Sequence, residues 1–295
     1  MLEENIEIGR YIKLLKINFL KIIIITALIA TTGTLLSFLL NDMYKSSAVL
    51  MPTSSSDSGL SSSLGGMASM IGVDIGNDNS DKTKLGNQIL ISLDFYKKLT
   101  LKDKELVKKL VAIKKFDKKQ NRTFYNTKIF NPANSKWQYY GKDNNKAPTL
   151  QDTHGDFLNI ISFNQDVKSK FVTVSVVHKS PSIAHEILKN IIDGLNEEIR
   201  KFDNDQAKKS LEFIEEKSAN ISSANFRKTI NEMYNAQLHK LMLTEVSNDY
   251  AFRIIETPVV PEKKYKPSRL LVLMFSSLLG FFLSIAYVII FKNNN

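Results

Sequence analysis

Two uncharged apolar runs, one near each end, constrain this chain more than any other feature. Ile22–Leu40 spans 19 residues without a charge, and Leu270–Phe291 spans 22. At ~1.5 Å per residue such helices are roughly 29 and 33 Å long, close to the about 30 Å of a bilayer's hydrocarbon core. Both read as transmembrane helices, because core helices of soluble domains rarely run so far without a charge. The first run follows Arg10, Lys13, Lys16 and Lys21, as a signal peptide would. It exceeds the roughly 7–15 residues of a signal's apolar region. The small residues after it, Ser46 and Ala48, lie beyond polar Asn41, Asp42 and Lys45. An uncleaved anchor fits better.

The expected organisation is a tail (1–21), a first transmembrane helix (22–40), a large loop (41–269), a second transmembrane helix (270–291) and a short C-terminal tail (292–295). Cations cluster on the cytoplasmic side of membrane helices. Four precede the first helix and only Lys45 follows closely, which places the N-terminus in the cytoplasm and the loop outside. The second helix disagrees: Lys263, Lys264, Lys266 and Arg269 precede it and only Lys292 follows. The first helix inserts first and usually dominates, and long loops cross largely regardless of charge. The basic collar "PVVPEKKYKPSR" therefore sits on the outer side, against the local rule. Its prolines, Pro258, Pro261 and Pro267, fix backbone φ and favour an extended path from the last strand to the bilayer. Its four cations are candidates for contact with lipid or glycan phosphate.

The formal charge of +10 raises the question of nucleic acid. The lysines are scattered, with no basic stripe interleaved with aromatics. A lysine- and asparagine-rich composition explains the charge, and no nucleic-acid partner is expected. The chain has no cysteine, so it has no disulfide and no thiolate metal site.

Along the loop, "YKSSAVLMP" reads as a strand closed by Pro52. Residues 53–66 are rich in serine and glycine, and "MASMIGVDIG" after them is either a short helix or part of the same loop. Asp81–Lys119 reads as helical, with Leu85, Ile89, Leu93 and Tyr96 on one face. Asn121–Gly155, with Trp137, Tyr139 and Tyr140, reads as an irregular excursion. "FLNIISFNQD" and "KFVTVSVVHKS" read as two strands. Pro181 opens a long helix with Ile183, Ile187, Ile191 and Leu195 every four residues. "SANISSANFR" breaks it, because serine and asparagine compete with the helix backbone. Phe226, Ile230, Met233, Leu238 and Leu241 resume the stripe, and "YAFRIIETP" is a last strand. In the tail, Ile8, Ile12, Leu15 and Phe19 mark an amphipathic helix suited to the inner surface. The expected fold is an α/β domain between two transmembrane helices. Its first and last strands share a membrane-proximal sheet, and long helices point outward.

Motifs for chemistry are absent: there is no P-loop, no G-x-S-x-G and no H-E-x-x-H. "DTHGD" (Asp152–Asp156) could hold a cation, but a solvated turn explains it better. The helical carboxylate pairs Glu197–Glu198 and Glu215–Glu216 face water on the usual rule. No cofactor, metal or catalytic residue is expected. In the closing helix, Ser276, Gly280 and Ser284 recur at i, i+4 and i+8, and the first helix offers Thr26, Ala30 and Thr34 at the same spacing. Small residues so placed let two membrane helices approach closely.

The order and wording of "VTVSVVHKSPSIAHEILKNIIDGLNEEIRKF" and "NDYAFRIIETPVVPEKKYKPSRLLVLMFSSLLGFF" resemble the Wzz chain-length determinants, the class 1 polysaccharide co-polymerases. Pro258, Pro261, Pro267 and Gly280 fall on that family's pattern, and "LSSSLGGMASMIGVDIG" looks like its early segment. Lys264 departs from it, standing where many relatives carry another proline, and Asn121–Gly155 matches little. The resemblance implies an inner-membrane protein with its bulk in the periplasm and both termini in the cytoplasm. It implies a bell-shaped homo-oligomer that sets O-antigen chain length with the Wzy polymerase on a lipid-linked polysaccharide, with no catalytic residues of its own. Capsule co-polymerases with a cytoplasmic tyrosine kinase differ, since this sequence has no P-loop and stops soon after its second helix. Two other readings stand beside it: an inner-membrane component of capsule polysaccharide export, which shares the two-helix layout, and a membrane-anchored periplasmic enzyme, which the missing catalytic motifs disfavour.

Overall fold

The computed structural model describes residues 15–53, 78–140, 143–144, 146–218, 224–246 and 249–292. The tail stripe at Ile8 and Ile12, the serine- and glycine-rich stretch from residue 54, "MASMIGVDIG" and the centre of the "SANISSANFR" break lie outside them. The chain forms two units: a body, Tyr44–Glu262, and a second unit, Met1–Met43 with Lys263–Asn295, that holds both apolar helices. In chain order the elements are α1 (Phe19–Leu39), β1 (Tyr44–Pro52), α2 (Asp78–Leu90), α3 (Leu93–Lys102), α4 (Leu106–Val111), β2 (Ile113–Asp117) and β3 (Arg122–Tyr125). The small strands β4 (Phe130–Asn131), β5 (Lys136–Trp137), β6 (Tyr139–Tyr140) and β7 (Asp143–Asn144) follow. After them come α5 (Leu150–Ile160), β8 (Ile161–Gln165), β9 (Val172–His178), α6 (Pro181–Ser218), α7 (Ala224–Val246), β10 (Phe252–Glu256) and α8 (Arg269–Lys292).

The body is built on a four-stranded antiparallel sheet in the order β10-β1-β9-β8. In β1, Tyr44, Ser46, Ala48, Leu50 and Pro52 point inward at every second position, the period of a half-buried strand. In β9, Val172, Val174 and Val176 do the same. First and last strands pair, with Leu50 opposite Ile254 and Pro52 opposite Phe252, as the strand assignments anticipate.

Helix α6 covers this sheet. Pro181 opens it, where its missing N–H costs nothing. Ala184, Ile187, Leu188, Ile191, Ile192, Leu195 and Ile199 are buried against β1 and β9. Each large aliphatic among them contributes roughly 2 kcal/mol through lost contact with water. The later part of the 38-residue helix packs on α7 through Ala207 and Leu211. Asn196 crosses from helix to sheet. Its Nδ2 donates to the Phe252 carbonyl (3.0 Å), and its Oδ1 accepts from the Ala251 and Phe252 amides (2.9 and 2.8 Å).

Four expectations need correction. Asp81–Lys119 is not one helical run. Ser92 accepts from the Phe95 amide (3.2 Å) as the N-cap of α3, so Leu93 belongs to a new helix and is partly exposed, and Lys114–Lys115 lie in strand β2. β2 turns into β3 because Asp117 accepts from the Lys119 and Gln120 amides (2.9 and 3.3 Å) and Asn121 takes φ 47°. The excursion at 121–155 contains small hairpins and the start of α5. "DTHGD" is not a turn. Thr149 and Asp152 form a capping box, which sets Thr153 inside, where it accepts a hydrogen bond from Tyr96 Oη at 2.7 Å. "FLNI" is the end of α5 rather than strand, because Phe157 continues the buried helical face, and the strand begins at Ile161.

His178, 3% exposed, ends β9. Its Nδ1 accepts from the Ser180 amide (3.0 Å), so Nε2–H donates to the Lys109 carbonyl (3.0 Å). Burial, with the Lys179 charge adding to it, pushes its pKa down from 6.5 to about 4 despite those backbone bonds.

Two outcomes follow. Asn196→Ala should cost roughly 3 kcal/mol in thermal or denaturant unfolding, because the substitution strands two buried amides and the Phe252 carbonyl. His178 stays neutral in the folded protein while the unfolded chain takes a proton below pH 6.5. Its contribution to stability is therefore complete above that pH and fades as pH falls towards about 4, up to roughly 3 kcal/mol. His178→Gln should flatten the stability–pH slope in that window.

Candidate functional site: the apolar helix pair and its basic collar

Helices α1 and α8 pack antiparallel along a seam of small residues. A Cβ on Gly280 would lie 3.2 Å from the Thr26 backbone and 3.1 Å from Ile29 Cβ. A Cβ on Gly33 would lie 2.7 Å from Ser276 Cβ. Thr26 Oγ1 and Ser284 Oγ are 3.4 Å apart, and Ser284 also donates to the Phe281 carbonyl (2.8 Å). Ser276, Gly280 and Ser284 thus share one face, with Thr26 and Ala30 across from it. Thr34 does not join the close contact; its hydroxyl donates to the Ala30 carbonyl (2.7 Å). Each four-residue step turns an α-helix about 40° past a full circle. The seam on α1 therefore runs Ile22, Thr26, Ala30, Gly33, Ser37, and a step of three replaces Thr34 by Gly33. A strict i+4 search passes over Gly33.

The outer faces carry large apolar side chains. Leu28, Leu35, Phe275 and Phe282 stand exposed, and only 17% of each membrane-length stretch is buried. A soluble core helix would hide these side chains; a helix in hydrocarbon would not. The helices run slightly past the expected bounds, from Phe19 and from Arg269 to Lys292, since Lys21 and Arg269 can extend their charges from a helix end towards water.

The collar divides between the units. In the body, Pro258 and Pro261 follow β10. Ser46 Oγ donates to the Val259 carbonyl (2.8 Å), and Lys118 Nζ to that of Glu262 (2.9 Å). In the helix unit, which holds Pro267, the Met43 amide donates to the Lys266 carbonyl (2.8 Å) and the Tyr265 amide to that of Met43 (2.7 Å). Asp42, just past α1, lies 3.3 Å from Lys264 Nζ and 3.6 Å from Arg269 Nη2. The Arg269 guanidinium stacks 4.2 Å above the Phe38 ring. Two of the four collar cations therefore share a carboxylate, while Lys263 is exposed and Lys266 lies 5.3 Å over the Tyr265 ring. Asp42 was readable as the one acid beside the C-terminal end of the first helix, but its partners lie over 220 residues away. Among the described residues, no three His, Asp or Glu side chains gather as a metal site would require.

The chain has no cysteine, so the helix pair can be tested directly. Introducing Thr26→Cys with Ser284→Cys should give a disulfide within one chain under oxidation. Adding Gly280→Leu should abolish it by forcing the helices apart, as read by mobility on non-reducing gels.

Two family models match. "Chain length determinant protein" (Wzz) covers residues 4–102, and "G-rich domain on putative tyrosine kinase" covers residues 228–293. Among solved structures, a full-length bacterial polysaccharide co-polymerase is 14% identical, with 94% of this chain and 95% of that one aligned at a TM-score of 0.35. A fragment of the co-polymerase WzzB from Salmonella Typhimurium is 12% identical over 77% of this chain and all of its own, at 0.25. A point mutant of the Shigella flexneri lipopolysaccharide O-antigen chain-length regulator WzzB is 13% identical over 76% of this chain and all of its own, at 0.21. No curated protein matches. The two family matches take in α1 with the first strand of the body, and the last strand with the collar and α8. The chain carries a Wzz chain-length determinant domain over residues 4–102 and a G-rich domain over residues 228–293, and its two apolar helices fit a two-pass inner-membrane protein.

Proposed function

We propose that this protein sets the length of O-antigen chains as a non-enzymatic co-polymerase in the inner membrane. The observation that carries the reading is the Wzz match on a chain whose single α/β body is inserted between two membrane-length helices. On this reading the body lies in the periplasm and both termini in the cytoplasm. It works beside a Wzy-type polymerase on lipid-linked polysaccharide, while α1 and α8 hold it in the bilayer. It acts as a homo-oligomer. In support, α6 and α7 expose Phe213 (60%), Met242 (57%) and Val246 (83%), apolar surface that a second copy would cover. The small-residue seam of Ser276, Gly280 and Ser284 sets the spacing of the helix pair, and the collar prolines limit slack between body and bilayer.

Deleting the gene should replace the modal cluster of lipopolysaccharide bands on a gel by an unregulated ladder. Gly280→Leu in an inserted, normally expressed protein should shift that cluster. A cluster unchanged by the deletion overturns the reading, and loss of capsule with an intact cluster would move the function to capsule export.

A further inference from the structure

The charges at the collar end of the helix pair do not balance. Lys263, Lys264, Lys266 and Arg269 stand beside two carboxylates, Asp42 and the adjoining Glu262, and only Asp42 pairs with them among the described residues, leaving a surplus of two positive charges. Arg269 is held yet incompletely used. Phe38 covers one guanidinium face at 4.2 Å and fixes its plane. Its Nη2 is 3.6 Å from Asp42, beyond a hydrogen bond, and its Nε is out of solvent with no acceptor. The side chain is still 38% exposed, so an acceptor can reach the guanidinium edge from outside. A planar fork of donors beside surplus ammonium groups is the arrangement that takes a phosphate oxygen pair. Arg269 is the first residue of α8, and exposed Leu270 and Leu271 follow it. If α8 crosses a bilayer, the guanidinium lies where hydrocarbon gives way to headgroups.

We propose that this end of the helix pair binds a lipid-borne phosphate, with Arg269 as its directional donor, Lys263 and Lys266 as supporting charge, and Asp42 as a built-in competitor for the same cations. The inference rests on the two-pass membrane reading, and it deepens the proposed function by naming the ligand chemistry of the collar. Two lipids present that chemistry: an anionic phospholipid and a polyprenyl diphosphate of the kind that carries glycans.

The test uses the full chain in nanodiscs of neutral phosphatidylcholine doped with phosphatidylglycerol in one arm and polyprenyl diphosphate in the other. Lipid retained on the protein is counted by native mass spectrometry. Arg269→Ala should lower retention about tenfold in the arm holding the true ligand. Arg269→Lys, which keeps charge but not the fork, should fall between. Asp42→Asn should raise retention, since it releases Lys264 and Arg269. If the residues only clamp the helices, Asp42→Asn and Arg269→Ala act in the same direction. That outcome, or retention insensitive to both in both arms, overturns the proposal. The disulfide between cysteines introduced by Thr26→Cys and Ser284→Cys, made in each variant, reports whether the pair is intact; loss of phosphate lipid only where that crosslink is also lost counts against a ligand role. A protein that retains no phosphate lipid but still sets the modal length overturns this inference and leaves the chain-length reading standing.

Discussion

Both passages of the chain between helix unit and body are held by antiparallel pairing, and the remaining architecture depends on that. Within the body, β1 pairs with β10 and Ser46 is bonded to the Val259 carbonyl. Within the helix unit, Met43 exchanges backbone hydrogen bonds with Tyr265 and Lys266. Closing a loop of some two hundred residues costs chain entropy, though only logarithmically in length. Backbone bonds at these passages, with Asn196 pinning β10 to α6, offset that cost where the chain enters and leaves.

The two units are held by different physics. In the body, apolar side chains leave water, and Ile187, Ile191 and Leu195 of α6 against Val174 and Val176 of β9 are the centre of that burial. Between α1 and α8 that driving force is absent, because lipid tails are as apolar as leucine. Close approach replaces it. Gly33 and Gly280 let backbones meet, and Thr26 and Ser284 place hydroxyls within reach of each other. Large side chains on the outer faces can then be interchangeable, while the seam positions cannot.

Much of the fold was legible because it follows from short-range pattern. Alternation marked β9, a short run closed by Pro52 marked β1, the fourfold isoleucine spacing marked α6, and the two apolar runs marked α1 and α8. The misses share a cause. Asp81–Lys119 has helix-forming residues throughout, yet Ser92 caps a new helix and the lysine-rich "IKKFD" becomes a strand because Ala112 and Ile113 are buried and Asp117 and Asn121 make the turn. Local propensity there is overruled by packing and turn chemistry. The Thr149–Asp152 capping box was a readable signal in a stretch whose polar, aromatic composition concealed it.

By itself the sequence determined the two membrane-length helices, the α/β order between them and the family wording carried by its prolines and glycine. Hydrophobicity, length and periodicity are properties of neighbouring residues and survive without coordinates. Only the tertiary structure decided that Gly33 rather than Thr34 completes the seam, that Asp42 draws in Lys264 and Arg269 but not Lys263, and that Asn196 reaches β10. Each joins residues that are distant in sequence or depends on the exact rotation of one helix against another. Such pairings follow from how surfaces pack, which no local pattern encodes.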